Sequence, residues 1–298
     1  MSFRDFALLV LICVLWGLNI VVSKWVVGPM GVPPLFYGAL RSAVIALAVV
    51  PWLLPMPRPR WRIFVVGVLM GAGGFALIFV GLRTATPSAA AVVGQLGVPM
   101  TTLLSIMVLG ERIGWRRGLG IGLAVFGILL VMWDPRGLEI STGLLFVAAG
   151  AFSGALGTVM MKQLEGVRPL RYQAWVGFSS LLVLAPLTAA FEEGQFSAAL
   201  EAGWPLVAVV LFSALLVSVF AHTAYYGLIH RYEANLIAPL TLMSPLMAIG
   251  FGIWLTNDRF DLRMAVGTVI ALTGVLIIAA RRKPRGSGGE PKPRASGA

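Results

Sequence analysis

The chain alternates between long apolar runs and short polar connections. Ten runs, at 6–27, 35–54, 63–82, 88–108, 117–133, 142–162, 172–191, 204–228, 234–255 and 263–280, are long enough as helices to cross a hydrocarbon core of about 30 Å. The connections, such as Pro55 to Arg62, Glu111 to Arg117 and Asp134 to Glu139, gather proline, glycine and charge, the residues that end helices or stay in water. The alternating segments of a membrane β-barrel are absent. The pattern therefore predicts an all-α polytopic membrane protein with ten transmembrane helices. The first run has a superficial likeness to a signal peptide. It is too long for a typical apolar signal core and lacks a small-residue cleavage site, so it is expected to remain as the first helix.

Composition supports this pattern. The chain is 58% hydrophobic and 12% charged, where soluble domains carry about 25% charged residues. Its net charge of +11 would suit a nucleic-acid partner only if the basic residues gathered on one polar domain. They instead fall between apolar runs, as topology determinants do, so no nucleic acid is expected. With a cytoplasmic N-terminus, eleven Lys and Arg fall on the inner side and five on the outer, before the six from Arg281 onward are counted. Both termini are thus expected in the cytoplasm, with the protein in a cell inner membrane. The tail over 283–298 is basic, then rich in Gly, Ser and Pro, and is expected to be disordered. Cys13 is the one cysteine, which excludes a disulfide framework or a cysteine metal site.

Self-comparison shows an internal repeat. Gly81-Leu82 through Pro99 matches Gly227-Leu228 through Pro245, followed by Glu111-Arg112 with Asp258-Arg259. Gly120 and Gly127 match Gly267 and Gly274, while Lys24, Pro34, Tyr37 and Pro51 match Lys162, Pro169, Tyr172 and Pro186. Each half holds five helices, which places the first repeat at 1–136 and the second at 137–282. Five is odd, so the second repeat enters the membrane from the opposite side. Inverted repeats are the architecture of many secondary transporters, whose sites lie near the midplane where the repeats meet.

The stretch Ser88-Ala89-Ala90, Pro99, Leu109-Gly110-Glu111-Arg112, Gly120 and Gly127, with Leu15-Trp16-Gly17-Leu18-Asn19 in the first run, resembles the drug/metabolite transporter superfamily in its EamA branch. The resemblance covers about 5–282. The second half departs from it at Thr256-Asn257-Asp258-Arg259. It implies a ten-helix exporter with a central cavity lined by both halves, and some members resemble amino-acid exporters.

All twelve acidic residues fall in connections or at helix ends. Ion-driven carriers commonly bury a carboxylate, which exchanges a proton or holds a cation, so a cation antiport built on one is disfavoured. The runs instead carry neutral polar and aromatic groups at helical spacing. Trp16, Asn19 and Ser23 share a face, as do Gln95, Pro99 and Thr102, and as do Ser218, His222 and Tyr225, with Tyr226 beside them. Phe75 and Phe79 lie on the third helix and Thr158 on the sixth. We take Trp16, Asn19, Phe75, Phe79, Gln95, Thr158, His222, Tyr225 and Tyr226 as candidate substrate contacts, against interhelical packing, which explains any single Ser or Thr at least as well. Arg41 either snorkels outward, the favoured reading, or lines an outer vestibule and attracts carboxylates. Lys24 and Lys162 read as snorkelling anchors. Pro99 and Pro245, at equivalent positions, are candidate hinges. Gly67–Gly71 and Gly118–Gly122 offer close helix approach.

Motifs for ATP, a zinc pair or a nucleophile elbow are missing, so neither an enzyme nor a cofactor is expected. The leading expectation is an exporter of small metabolites, amino acids first, working by alternating access. Such a carrier needs only the small molecule and the bilayer, and a monomer is compatible with it. The alternatives are a drug or nucleotide-sugar carrier, a channel, and an intramembrane enzyme or sensor.

Overall fold

A computed structural model describes residues 1–110, 114–134, 139–164, 166–232, 237 and 239–279. The Glu111-Arg112 pair and the tail from 283 lie outside the described residues.

Among the described residues ten apolar helices run back and forth. They are α1 (Phe3–Val27), α2 (Pro34–Ala48), α3 (Arg60–Leu82), α4 (Pro87–Leu109), α5 (Trp115–Met132), α6 (Thr142–Met161), α7 (Pro169–Phe191), α8 (Gln195–Ile229), α9 (Met243–Thr256) and α10 (Leu262–Ala279). Eight are long enough to span a membrane, while α2 and α9 are shorter. A short antiparallel pairing of 133–134 with 139–140 joins the halves. The second helix is expected over 35–54 but ends at Ala48, because Pro51 and Pro55 cannot donate to the ladder. A single 3₁₀ turn, Val50–Trp52, follows it. By contrast Pro186, which matches Pro51, is carried inside α7. The eighth run begins at Trp204 as expected. An added stub, Gln195 to Ala202, precedes it and breaks at Gly203 (φ 60°, ψ −145°), a backbone that only glycine adopts readily.

Inversion is visible in the glycine contacts. The α5–α10 seam crosses antiparallel, with Gly120 against Gly274 and Gly127 against Gly267. Because Gly120 matches Gly267 and Gly127 matches Gly274, each repeat offers the same surface to the other. This is a self-complementary contact about a pseudo-two-fold axis. A methyl added at Gly120 would lie 2.9 Å from the Gly274 carbonyl oxygen, and one at Gly267 would lie 2.8 Å from that of Gly127. Lipid leaves little hydrophobic drive between helices, so such close backbone approach contributes much of the association. The equivalent pair α2–α7 is also antiparallel, with Gly38 on Leu184 and Gly177 on Ile45. Gly67 and Gly71 seat α3 on α7 as expected, while Gly118 and Gly122 meet nothing within 4 Å. The latter expectation is corrected: α5 has one seated face, and a spacing of four alone does not select it.

Outward faces carry Leu119, Leu123, Phe126, Val269 and Leu276, an apolar surface suited to lipid. Exposed tryptophans collect near both ends of the bundle, with Trp61 and Trp115 at the N-terminal end and Trp133, Trp204 and Trp254 at the far end. Indole rings settle at the two membrane interfaces. The chain is an integral membrane protein.

Candidate functional site

Between the repeats lies a cavity of about 670 Å³, within the range of small-molecule sites. Its wall runs from Gly38 and Phe79, about one helical turn from the far ends of α2 and α3, past Arg41, Ser218 and His222, to the end where α1 begins, at Arg117, Lys162 and Ala279. No described residue of the far-end connections lines the cavity, and there two carboxylates and a lysine tie helix ends together. Asp258 Oδ2 accepts from the Ser88 backbone N–H (2.8 Å) and hydroxyl (2.6 Å), and its Oδ1 accepts from Thr256 (2.7 Å). Glu192 accepts from the N–H groups of Leu35 and Phe36, both at 2.8 Å. Each carboxylate thereby satisfies orphan donors in the first turn of a helix, α4 or α2, where the helix dipole also favours negative charge. Lys24 donates to the carbonyls of Leu82 (2.8 Å) and Arg83 (3.2 Å), anchoring the end of α3.

Two kinds of helix irregularity recur at repeat-related places, and those of α3, α4 and α8 lie in the wall. The α4 helix is interrupted between Gly94 and Gly97, and a turn at Thr241–Leu242 precedes α9. In each case the proline four residues on, Pro99 or Pro245, has no N–H for the carbonyl of Gln95 or Thr241, and its ring displaces that carbonyl. The freed carbonyls accept tighter bonds instead, from Val98 N–H (3.1 Å) and Ser244 N–H (2.9 Å). Within α3 and α8, π-helical turns at Val68–Ala76 and Phe212–Ala221 face the cavity. Such turns widen a helix and are frequent at functional sites. In α8 they bring Ser218 Oγ to the Ser213 carbonyl (2.8 Å) and His222 Nδ1 to that of Val217 (2.7 Å). A carbonyl only accepts, so His222 carries a proton on Nδ1.

Of the nine contacts expected from the sequence, Phe75, Phe79, Thr158, His222, Tyr225 and Tyr226 line the cavity, while Trp16, Asn19 and Gln95 do not. Trp16 stands behind the wall, with its ring 5.2 Å from His222 and 5.1 Å from Tyr225. Asn19 is buried in a chain of hydrogen bonds. Ser213 donates to its Oδ1, Tyr37 Oη lies 2.8 Å from Ser213 Oγ, and Ser23 Oγ lies 3.2 Å from Tyr37. This chain ties α1, α2 and α8. Gln95 marks the break in α4.

Lys162, expected as a snorkelling anchor, and Arg41, expected either to snorkel outward or to line a vestibule and attract carboxylates, both line the cavity. Arg41 is 2% exposed. Its Nε and Nη2 donate to Ser218 Oγ at 3.2 and 2.7 Å, and its guanidinium lies 3.8 Å over the Phe75 ring. The sequence carries a signal for it, since an ionisable residue well inside an apolar run is a functional candidate by default. Its direction was not, because it depends on where α8 places Ser218. Lys162 donates to Ser105 (3.1 Å). Among the described residues no Asp or Glu lines the cavity.

Ten helices in two inverted repeats around one cavity are the architecture of a membrane transporter. The EamA-like transporter family matches residues 6–133 and 141–280. The chain belongs to that family, within the drug/metabolite transporter superfamily. It is 29% identical over 287 residues to a protein of Escherichia coli (strain K12) named "Probable amino-acid metabolite efflux pump", covering 93% of this chain and 95% of that one. A protein of the same name from Salmonella typhimurium is 28% identical, covering 97% and 100%. The "Probable terminal-alkyne amino-acid exporter" of Streptantibioticus cattleyicolor is 26% identical, covering 89% and 93%. One solved crystal structure shares the fold, with a TM-score of 0.62 at 18% identity, covering 93% of this chain and 96% of that one.

Proposed function

We propose that this transporter exports small metabolites, amino acids first, by alternating access through the cavity between repeats 1–136 and 137–282. The observation that carries the reading is a cavity between the repeats that reaches the end where α1 begins, walled in part by α4, one of two helices broken at repeat-related prolines. An inverted pair of repeats can exchange its two arrangements, so the end that is now closed opens when the other closes. Pro99 and Pro245 serve as the hinges. Phe75, Phe79, Thr158, His222, Tyr225 and Tyr226 contact the solute, and Trp16 backs them. The aromatic and polar wall, which carries basic groups and no described carboxylate, suits a zwitterion with an apolar side chain, and the names of the E. coli and Salmonella relatives support the same class.

The basic asymmetry of the connections supports cytoplasmic termini for a protein of an inner membrane. The cavity then opens inward in the arrangement described, ready to load from the cytoplasm. Purified protein in liposomes, tested with a panel of radiolabelled amino acids, sugars and cations, examines the reading. Saturable uptake with counter-exchange of amino acids is expected. Flux that never saturates would make the protein a channel, and saturable flux of sugars or cations alone would replace the substrate class.

A further inference from the structure

Arg41 is buried in the middle of a transmembrane bundle, with no acidic partner among the described residues. Its five N–H donors form a rigid fork, and the structure commits one edge of it: Nε and Nη2 both donate to Ser218 Oγ. The Phe75 ring covers one face at 3.8 Å, and Phe79 lies 5.7 Å away. At the other edge Nη1 is shielded from water and has no hydrogen-bond partner. The nearby Tyr37 hydroxyl is taken up by Ser213 and Ser23. Among the described residues no carboxylate lines the cavity. The Arg41 guanidinium thus stands at mid-membrane with no described counter-charge, where an unpaired cation is costly. An arrangement that retains such a cost is explained if the counter-charge arrives with a ligand.

We infer that Arg41 is the substrate's carboxylate anchor: the guanidinium, held by Ser218 and stacked on Phe75, receives the carboxylate of a solute on its Nη1 edge. This rests on reading the cavity as the transport site, and it deepens that reading by naming the group recognised. Arg binds planar carboxylates through two parallel N–H bonds, which gives orientation as well as attraction. The anchored solute directs its remaining part along the aromatic wall toward His222 and Tyr225. Carboxylates are thereby selected over amides and amines of the same shape. Leaving a buried donor unsatisfied is what excludes such an analogue, and discrimination of this kind is large.

The test uses the full-length purified chain in detergent, with thermal unfolding followed at graded concentrations of 3-phenylpropionate, L-phenylalanine, L-phenylalaninamide and phenethylamine, in sulfate and in chloride buffers. Wild type is expected to be stabilised by the two carboxylates at concentrations at least about tenfold below those needed for the amide or amine. Arg41→Met is expected to fold at least as stably without ligand, because it removes a buried unpaired charge, and to lose the preference. Arg41→Lys should keep a reduced preference. Equal stabilisation of wild type by carboxylate and amide would overturn the inference, as would a preference that survives in Arg41→Met. A shift produced by chloride alone, with none added by carboxylate, would also overturn it, making Arg41 the holder of a fixed inorganic ion. If Arg41→Met fails to fold, Ser218→Ala decides. It should alter carboxylate binding and leave amide binding unchanged, and an equal effect on both would count against the anchor. Arg41-dependent carboxylate binding without flux of any amino acid would keep the anchor and remove the amino-acid reading. Saturable amino-acid flux that ignores Arg41→Met would do the reverse.

Discussion

Replacing Asp258 by alanine removes a carboxylate that bridges the end of α9 to the start of α4 at the far end of the bundle. Asp258 is 9% exposed and accepts three hydrogen bonds, two of them from Ser88 in the other repeat. Hydrogen bonds to a charged group contribute about 1.5–3 kcal/mol each. Water replaces part of that once the end opens, so the two bridging bonds favour the closed arrangement by about 2 kcal/mol, roughly a factor of 30 in the equilibrium. The reporter is Ala85→Cys in a Cys13→Ala background. Ala85 is 4% exposed and follows α3 at the same far end. Maleimide labelling of Cys at position 85 in membranes is expected to run about 30-fold faster with Asp258→Ala. Asp258→Asn keeps an acceptor oxygen and loses the charge, so its rate should fall between the two. Cys13, fully buried in α1, supplies the control: in the native background with Asp258→Ala its labelling should stay slow. Labelling at position 85 within twofold of the parent would refute the latch. Equal acceleration at both cysteines would mean general loosening and would refute it too.

Three further outcomes follow from named contacts. Gly127→Leu forces a side chain into α10, where even a Cβ would lie 2.6 Å from the Gly267 carbonyl oxygen, whereas Gly122→Leu meets nothing within 4 Å. The first should lower the melting temperature sharply or prevent folding and the second should leave it within a degree or two, and equal effects would contradict the seam. Tyr37→Phe deletes the hydroxyl between Ser23 and Ser213 and should cost about 1 kcal/mol in thermal unfolding; no change would mean that the chain of hydroxyls contributes nothing. Pro99→Ala or Pro245→Ala restores an N–H that the carbonyl of Gln95 or Thr241 can accept, closing the break. Counterflow turnover should drop several-fold with stability unchanged or raised, and unchanged turnover would remove the hinge.

Sequence and structure divided the description along physical lines. Ten spans, their order, the inverted repeat and the family resemblance were all legible in the chain. Lipid demands long apolar runs with internally satisfied backbones, and duplication leaves matched residues. The proline breaks were legible as well, because a missing N–H acts locally. Candidate contacts were legible in part. Periodicity identifies a polar face but not the helix it meets, so Asn19 and Ser23 joined Tyr37 in a packing chain while Phe75, His222 and Tyr225 reached the cavity. Gly118–Gly122 satisfied a spacing rule, yet Gly120 and Gly127 make the seam, since only the docked partner decides which face of α5 is covered.

Arg41 shows the division most clearly. The chain alone determined that a cation lies inside an apolar run, with no counterpart in the other repeat. Its direction was set by the tertiary structure, through Ser218 on a π-helical turn more than 170 residues away and the Phe75 ring beneath it. Charge in a membrane is read from composition, because its cost is a property of the residue. Its partner is a property of the assembled helices.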